Sequence, residues 1–596
     1  MSFAFHPMLT WYSTRIGHFI GEIMNYYSDN KEWIWLFKNA IDWDKVMPLY
    51  YPKFPTEDEM KNPEEVKNFL EEMLTATGEW CAESVAGRAE EMDRIGAGTI
   101  ENGRTIPSQA LSAFYQEAKE LEAFGANAPK EYGGLELPMS SGMIFMAQLS
   151  KACISSCMQI SFYGSIIDML DRFASKELKD KYIPEIIAGN VSGSMCLTEP
   201  DCGSDLGSIN ASASPQTDGT YLINGTKIFI TNGGGGLGLV LARIDGAPEG
   251  LKGISMFLVD QSEKEAERGR PNFMVTKNED KLGLHGTFTT EVLYEDSIAH
   301  LIGEPNTGFT QMLHLMNEAR IATAMQSFGG LEASIEYAKQ YASERKAFGK
   351  PISELPLMKR NLEDYQTEVD AIRALLVDTS SHYDIYQKLH LKKCHSGDLN
   401  AEEKELYEYA WMWTRKRTPL VKFYATEAFT HLSTKAIQVL GGYGYMKDYP
   451  VEKLHRDSFG PLLYEGTSQI QSLMAMKDLI KYAMKDPGSF ITNVFSKHPG
   501  LGLISGSNEW DKEYKSVHYR FKKKLIGLLF NNLKPEGNKL FDAKEWANVD
   551  EERVSSLMIH AEGLCAALSY METLRVLCEH ADKDESRSDL FYRYKR

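Results

Sequence analysis

The spacing of apolar residues changes twice along this chain, and this change constrains the fold more than any other feature. After Pro63, apolar residues such as Val66, Leu70 and Leu74 fall on one face at helical spacing. Near residue 191 the period becomes two, and Gly, Pro, Asn and Asp separate short apolar runs up to about residue 300. The helical period returns from Gly308. This order predicts an α+β fold that is mainly α, with a small antiparallel β unit between helical ones.

The length of 596 residues is too great for a single hydrophobic core, so we expect several packed units. They are an N-terminal extension over residues 1–60, a helical domain over 61–190, a middle β domain over 191–300, a helical bundle over 301–487 and an appended helical domain over 488–596. The N-terminal extension is rich in aromatic residues, and such a segment more often packs on a neighbouring surface than binds a ligand.

Two local patterns give sharper structural predictions. In the 61–190 unit, which we expect to be all-helical, the periodicity predicts helices over residues 111–124, 141–160 and 164–174. In the β unit, Asn224 and Gly225 separate two short apolar runs. An Asn-Gly pair in that position is the strongest short-range hairpin signal, so we expect a turn there.

A glycine-rich run over residues 233–238, GGGGLG, matches the spacing G-x-G-x-x-G. The dinucleotide-binding fingerprint requires a strand before these glycines and a helix after them. Here the next residues, Leu239 to Ala242, are typical of a strand, so we reject this interpretation.

Composition excludes several classes of function. The chain has 65 basic and 83 acidic residues, a formal charge of −18, which argues against nucleic acids and anionic membranes as partners. Its eight cysteines are sparse and show no metal-ligand spacing, so we expect reduced thiols, no metal site and a cytoplasmic location. The N-terminus lacks the pattern of a cleavable signal, and no run of about 18 apolar residues predicts a transmembrane helix.

The stretch over residues 463–471, LYEGTSQIQ, is the strongest candidate for chemistry. It places one carboxylate, Glu465, beside Gly466, and Thr467 or Ser468 can cap a following helix. A carboxylate held on a turn ahead of a helix suits a general base. The alternative is a solvated glutamate that only favours the start of a helix.

Four sequence segments occur together and in order. They are MCLTEPDCGSD over 195–205, GTKIFITNG over 225–233, ERKAFGK over 344–350 with QVLGGYG over 438–444, and YEGTSQIQ over 464–471. With these segments the chain resembles the acyl-CoA dehydrogenase family of flavoproteins over residues 61–485. Its N-terminal extension and extra C-terminal helical domain resemble the larger bacterial members. The resemblance implies an N-terminal helical domain, a middle β domain and a C-terminal four-helix bundle.

The reaction that the resemblance implies is α,β-desaturation of an acyl-CoA thioester, a step of β-oxidation, with FAD as cofactor. A base removes the α proton while hydride leaves the β carbon for flavin N5. Glu465 matches that base, and Ala319 occupies the position where some relatives place it instead. Burial should raise the pKa of such a carboxyl.

The same resemblance assigns binding residues. Those matching cofactor contacts are Leu197, Thr198, Gly203, Ser204, Phe229, Ile230, Thr231, Arg345, Phe348, Gln438, Gly441, Gly442, Thr467 and Gln469. Those matching substrate contacts are Ser204, Arg320, Tyr464 and Gly466. Arg320 could instead form an ion pair with a nearby helix. Two positions depart from the family, since Phe229 stands where Trp is frequent and Ala347 where Thr is common.

Partners follow from the resemblance as well. Arg345 and Phe348 match residues that reach a neighbouring subunit's FAD, so we expect a homo-oligomer, and a dimer in particular. Electron-transfer flavoprotein is the expected electron acceptor. Two other functions stay open, an acyl-CoA oxidase that uses O2 and a flavin-binding scaffold subunit without turnover. The acyl group also stays open among straight-chain, branched, alicyclic, dicarboxylic and sulfur-containing types.

Overall fold

The computed structural model of the chain describes residues 24–485, 506–533 and 551–596. The helices are α1 (Lys31–Asn39), α2 (Trp43–Tyr50), α3 (Pro63–Trp80), α4 (Ala86–Ile95), α5 (Gln109–Glu120), α6 (Met139–Ala152), α7 (Ile154–Phe173), α8 (Lys176–Ile187), α9 (Glu265–Arg268), α10 (Gly308–Glu344), α11 (Pro356–Ser396), α12 (Ala401–Leu440), α13 (Pro450–Leu463), α14 (Ser468–Lys485), α15 (Glu509–Leu533), α16 (Glu551–Met558), α17 (Ala561–Lys583) and α18 (Ser588–Lys595). The strands are β1 (Gly98–Glu101), β2 (Arg104–Pro107), β3 (Ser192–Cys196), β4 (Ser212–Pro215), β5 (Tyr221–Thr231), β6 (Gly236–Ile244), β7 (Ile254–Asp260), β8 (Met274–Asn278), β9 (Thr289–Ile302), β10 (Lys346–Ala347) and β11 (Lys350–Pro351).

The predicted fold, mainly helical with a small β domain in the middle, is confirmed. Strands β3 to β9 form one sheet in the order β3-β6-β4-β5-β9-β7, with β8 also paired to β9. Its pairings are antiparallel except where β6 lies parallel to β3 and to β4. The long helices α10, α11 and α12 pack against one another, and α10 also contacts α6, α7 and β7. Helix α10 therefore joins the two helical domains and the sheet.

The Asn224-Gly225 pair does not form the predicted hairpin turn, and that prediction is wrong. Strand β5 continues through both residues, and its register with β9 shifts there as a bulge. The Asn224 side chain pairs with Asp296 on β9, donating to its carboxylate and accepting from its backbone N–H at 2.9 Å each. A Cβ on Gly225 would lie 2.9 Å from the Ala211 Cβ, so the glycine serves close strand packing.

The prediction that residues 61–190 are all-helical is also wrong. Strands β1 and β2 form a hairpin around Asn102 and Gly103, whose φ angles are 51° and 78°. Both angles suit a two-residue turn that matches strand twist. The predicted helix boundary near residues 161–163 is wrong as well, because the break falls at Cys153, with φ −157° and ψ 110°. This extended residue separates α6 from α7, and both helices pack on α10.

The glycine-rich run over 233–238 leads into a strand and not into a helix, because β6 begins at Gly236 within the run. The prediction of a strand at Leu239 to Ala242, on which the rejection of dinucleotide binding rested, is confirmed. A Cβ on Gly233 would overlap Thr290 Oγ1, and one on Gly234 would overlap Thr105 Oγ1. These glycines are therefore explained by close packing between the sheet and the β1–β2 hairpin.

The described part of the N-terminal extension packs on the bundle, as its aromatic content predicts. Trp33 on α1 is buried, and its ring lies 5.6 Å from that of Phe328 on α10. The same helix contacts the C-terminal end of the chain, where Arg587 pairs with Glu32 at 2.6 Å. Helix α1 thus contacts both the bundle and the C-terminal segment around Arg587.

In the parts of the chain that the structure describes, no helix has the length and apolar character needed to cross a bilayer. The same residues contain no group of three or more His, Cys, Asp or Glu side chains arranged to hold a metal ion. All eight cysteines are described, and all are free thiols.

Candidate active site

The 464–467 turn, Tyr464 to Thr467, links α13 to α14 and presents the candidate base. Glu465 and Gly466 have φ angles of 57° and 93°, so a non-glycine residue adopts a left-handed conformation here. Such a conformation costs on the order of 1–3 kcal/mol and persists only where surrounding contacts hold it. Thr467 Oγ1 accepts from the Ile470 N–H at 3.4 Å, which confirms a hydroxyl cap on the helix after Glu465.

Three buried side chains hold the carbonyl groups of this turn. Arg320 Nε donates to the Glu465 carbonyl at 3.2 Å, and Gln471 Nε2 donates to the same oxygen at 2.7 Å. Lys422 Nζ donates to the Gly466 carbonyl at 2.7 Å. Arg320 and Lys422 are 2% and 0% exposed, so both cations are withdrawn from solvent beside the turn.

The electrostatics of the turn suit a carboxyl that exchanges a proton. Burial raises the pKa of Glu465 above its usual value, and the Arg320 and Lys422 cations oppose that rise. Burial also lowers the pKa of Lys422 to about 8, although Glu465 opposes this fall. Arg320 thus has an observed role in holding the turn, and its role in binding CoA stays a prediction.

Tyr464 links the turn to α10, and Glu318 on α10 is hydrogen-bonded to α7 and α11. The Tyr464 hydroxyl donates to Gln326 Oε1 at 2.8 Å. Glu318 accepts from Ser165 at 3.2 Å and from Tyr383 at 2.9 Å, so its carboxylate is directed to α7 and α11. Burial raises the Glu318 pKa to about 7, with Asp168 adding to the rise. This placement leaves Glu465 as the acidic residue on the turn.

A second group of predicted residues lies on the loop after β3. Lys227 Nζ donates to the Leu197 carbonyl at 2.9 Å and to Glu199 Oε1 at 2.8 Å, and both charged residues are buried. The Ile228 N–H donates to the Thr198 carbonyl at 2.9 Å. These bonds fix the loop against β5 and bring Thr198 next to the segment that contains Phe229.

The side chains of this second group differ in their access to a ligand. Phe229 is 60% exposed, with φ 58°, whereas Ile230 is buried in the core of the sheet. Thr231 is half-buried, and Gly203 and Ser204 are exposed. Any contact from Ile230 to a ligand would therefore have to come from its backbone.

A third group lines a cavity of about 500 Å³ where α12 ends. Arg345, Gly441, Gly442 and Tyr443 are among its walls, and the Arg345 guanidinium lies 5.8 Å from the centre of the Tyr443 ring. A Cβ on either glycine would meet no heavy atom within 4 Å, so the space beside them is open.

The remaining predicted residues are all exposed. Gln438 is exposed near the end of α12, where its carbonyl accepts from the Gly441 N–H. Gln469 is exposed at the start of α14. Phe348, between β10 and β11, is 93% exposed with φ 53°.

Sequence reasoning missed four of the residues that hold the site. Gln471 stood within the quoted motif, but its amide gave no signal that it would point back to the turn. Lys227 and Glu199 also stood within quoted segments, but nothing local showed that they would pair with each other, and Lys422 was marked only as a lone charged residue in an apolar run. A buried charge without a neighbour in sequence implies a partner elsewhere, and this rule could have marked both lysines.

Comparison with known proteins places these groups in context. Three models of acyl-CoA dehydrogenase domains match the chain: the N-terminal domain over residues 68–190, the middle domain over 194–297 and the C-terminal domain over 306–480. An acyl-CoA dehydrogenase of Bacillus subtilis (strain 168) is 34% identical over 360 residues, which cover 60% of this chain and 86% of that protein.

Solved structures agree with these matches. The acyl-CoA dehydrogenase of Bacillus anthracis, complexed with FAD, has the same fold with a TM-score of 0.72 at 21% identity, covering 92% of this chain and 88% of that one. A chain from the structure titled electron transferring flavoprotein of Acidaminococcus fermentans has a TM-score of 0.57 at 27% identity, covering 69% of this chain and 97% of that one.

Proposed function

The chain belongs to the acyl-CoA dehydrogenase family of flavin-dependent oxidoreductases, and from this premise we propose that it desaturates an acyl-CoA thioester between the α and β carbons, with Glu465 as the base. The observation that carries the proposal is the 464–467 turn. It holds the backbone of Glu465 in a left-handed conformation beside two buried cations.

FAD is the cofactor, and the described residues fit it. The cavity of about 500 Å³ combines an arginine suited to a pyrophosphate with two glycines that allow a close approach to the backbone. The other residues that would hold FAD are Leu197, Thr198, Gly203, Ser204, Phe229, Ile230, Thr231, Phe348, Gln438, Thr467 and Gln469. When bound, FAD supplies the acceptor for the hydride that leaves the β carbon.

The role of Glu465 is to accept the α proton of the thioester. The α C–H group is a weak acid. A carboxylate with a raised pKa therefore reduces the difference in pKa between the α C–H and the base that accepts its proton. Burial supplies that rise in the pKa of Glu465, while the Arg320 and Lys422 cations oppose it. The hydrogen bonds to the carbonyls of Glu465 and Gly466 hold the backbone from which the Glu465 side chain projects.

A homodimer is part of the proposal. Phe348 is 93% exposed, and Tyr445 and Met446 near the cavity are also exposed. An apolar surface of this kind marks a contact with another protein. A second copy would cover it and place Arg345 and Phe348 on the cofactor of its neighbour.

The physiological setting is also proposed. Free cysteines support a reducing, cytoplasmic location, and the acidic charge of the chain gives no support to nucleic acid as a partner. Electron-transfer flavoprotein is the proposed acceptor and β-oxidation the proposed process, on the strength of the family alone.

The test compares the FAD-loaded protein with its Glu465→Gln variant. Both are mixed without oxygen with a panel of straight-chain, branched, alicyclic, dicarboxylic and sulfur-containing acyl-CoAs, and the loss of flavin absorbance is recorded. We expect at least one compound to bleach the wild type and none to bleach the variant, which keeps its FAD. A variant that bleaches at the wild-type rate refutes Glu465 as the base. Wild-type protein that no compound bleaches refutes turnover, and rapid reoxidation by O2 favours the oxidase.

A further inference from the structure

We propose that Lys422 is a positioning residue for the base, holding the 464–467 turn and placing a cation beside Glu465. This inference rests on the proposed function. Lys422 lies on α12 and is separated by 44 residues from Gly466, whose carbonyl oxygen is 2.7 Å from its Nζ. The Leu462 carbonyl lies 3.4 Å from the same nitrogen, so the ammonium group joins the end of α13 to the turn.

The burial of this lysine requires an explanation. Its side chain is fully buried, and its two hydrogen-bond acceptors are uncharged carbonyl groups. A buried ammonium without a directly bonded carboxylate is costly for stability, and an apolar side chain of similar length would fill the same space. The position of the cation beside the base supplies a reason, because a buried cation acts strongly on the pKa of a neighbouring carboxyl.

The charges that face Lys422 come from three elements. Arg320 approaches from α10 and Glu465 from the turn, while Glu427 lies on α12 itself and accepts from Ser468 Oγ at 2.5 Å. Burial is the largest influence on the pKa of Lys422 and lowers it to about 8, so the side chain is cationic at neutral pH. In that state it opposes the rise that burial imposes on the pKa of Glu465.

The geometry gives Lys422 a second role that Arg320 does not share. Arg320 and Gln471 bind the carbonyl of Glu465, whereas Lys422 binds the next carbonyl, that of Gly466, at 2.7 Å. Gln471 Nε2 also donates to the Gly466 carbonyl, at 3.2 Å. Loss of the Lys422 contact therefore leaves the Gly466 carbonyl with only the longer bond from Gln471 among these donors, while Arg320 and Gln471 still hold the Glu465 carbonyl.

The experiment uses three variants of the full chain with FAD bound. Lys422→Met removes the charge and the donor, Lys422→Gln removes the charge and keeps a donor, and Lys422→Arg keeps the charge. The matched control is Lys416→Met, the same substitution on the same helix, where the carboxylate that acts on the lysine is Glu572 rather than Glu465. Two quantities are followed against pH: the single-turnover rate of flavin bleaching, and the protonated-carboxyl band in infrared difference spectra against Glu465→Gln.

We expect Lys422→Met and Lys422→Gln to move both midpoints to higher pH by about one unit, since an adjacent cation lowers a carboxyl pKa by about that amount or more. At a pH below the wild-type midpoint, a rise of about one unit makes bleaching roughly tenfold slower than in the wild type, because the ionised fraction of the base falls about tenfold. Lys422→Arg and Lys416→Met should keep the wild-type midpoints.

An unchanged infrared midpoint in both neutral variants overturns the role of Lys422, as does an equal shift in Lys416→Met. The infrared titration requires no turnover. Protein that no acyl-CoA bleaches would therefore refute the proposed function, while the same samples would still decide whether Lys422 acts on Glu465.

Discussion

Replacing Lys227 by Met should destabilise the β domain and release the loop after β3. The ammonium group of Lys227 is fully buried, 2.8 Å from Glu199 Oε1 and 2.9 Å from the Leu197 carbonyl. Loss of one partner from a buried ion pair costs about 3–5 kcal/mol, because the remaining charge stays buried. Glu199 keeps the backbone N–H groups of Asn210 and Ala211 as donors, so we expect the lower end, about 3 kcal/mol.

The assay is thermal unfolding of the FAD-loaded protein, followed by the rise in flavin fluorescence as the cofactor leaves. For a cooperative unit of the size of the β domain, about 3 kcal/mol lowers the midpoint by on the order of 10 °C. Burial lowers the pKa of Lys227 despite the pairing with Glu199, so the ion pair does not fully offset the cost of burying the ammonium group. The double variant Lys227→Met/Glu199→Gln should therefore lose less than the sum of the single variants.

The matched control is Lys176→Met, which breaks an ion pair of similar length, 2.9 Å to Asp180, on the surface of α8. Exposed pairs contribute little, so its midpoint should match that of the wild type. If Lys227→Met also matches the wild type and keeps its affinity for FAD, the argument that the buried pair anchors the loop is refuted.

Three other substitutions test separate parts of the structure. Phe348→Ser should convert the proposed dimer to monomers, because the proposed interface would lose a ring that is 93% exposed in the single chain; light scattering after size exclusion measures this, and an unchanged mass contradicts it. Arg575→Met should loosen α17 by about 3 kcal/mol, since Asp378 and Glu572 lose a buried partner; earlier proteolysis of the C-terminal helices would show it, and wild-type resistance would contradict it. Asp384→Asn should make the free energy of unfolding less dependent on pH. Burial raises the Asp384 pKa to about 6, so its contribution is full below its usual pKa near 4 and is lost as pH rises through 6. Denaturant titrations at pH 4 and 6 should show a larger fall for the wild type than for the variant, and equal falls would contradict this sign.

The two Asn-Gly pairs of the chain show that the same local sequence can adopt different structures. At Asn102 and Gly103 the pair forms a hairpin turn, and at Asn224 and Gly225 it lies within one continuous strand. The local sequence permits both outcomes, since the conformations open to the two residues are the same. Contacts of Asn224 with Asp296, on a strand distant in sequence, decide for the bulge.

The sequence by itself determined the order of helical and strand-rich units, the family, and the hydroxyl cap on the helix after Glu465. These features depend on periodicity and on residues adjacent in the chain, where Gly466 and Thr467 act directly on their neighbours. The tertiary structure alone decided which charges meet the turn. Arg320 is separated from Glu465 by 145 residues, and Lys422 approaches from another helix, so their pairing depends on how α10, α12 and α13 pack. Packing also sets the pKa of the base, because burial and neighbouring charge are properties of the assembled core and leave no trace in local sequence.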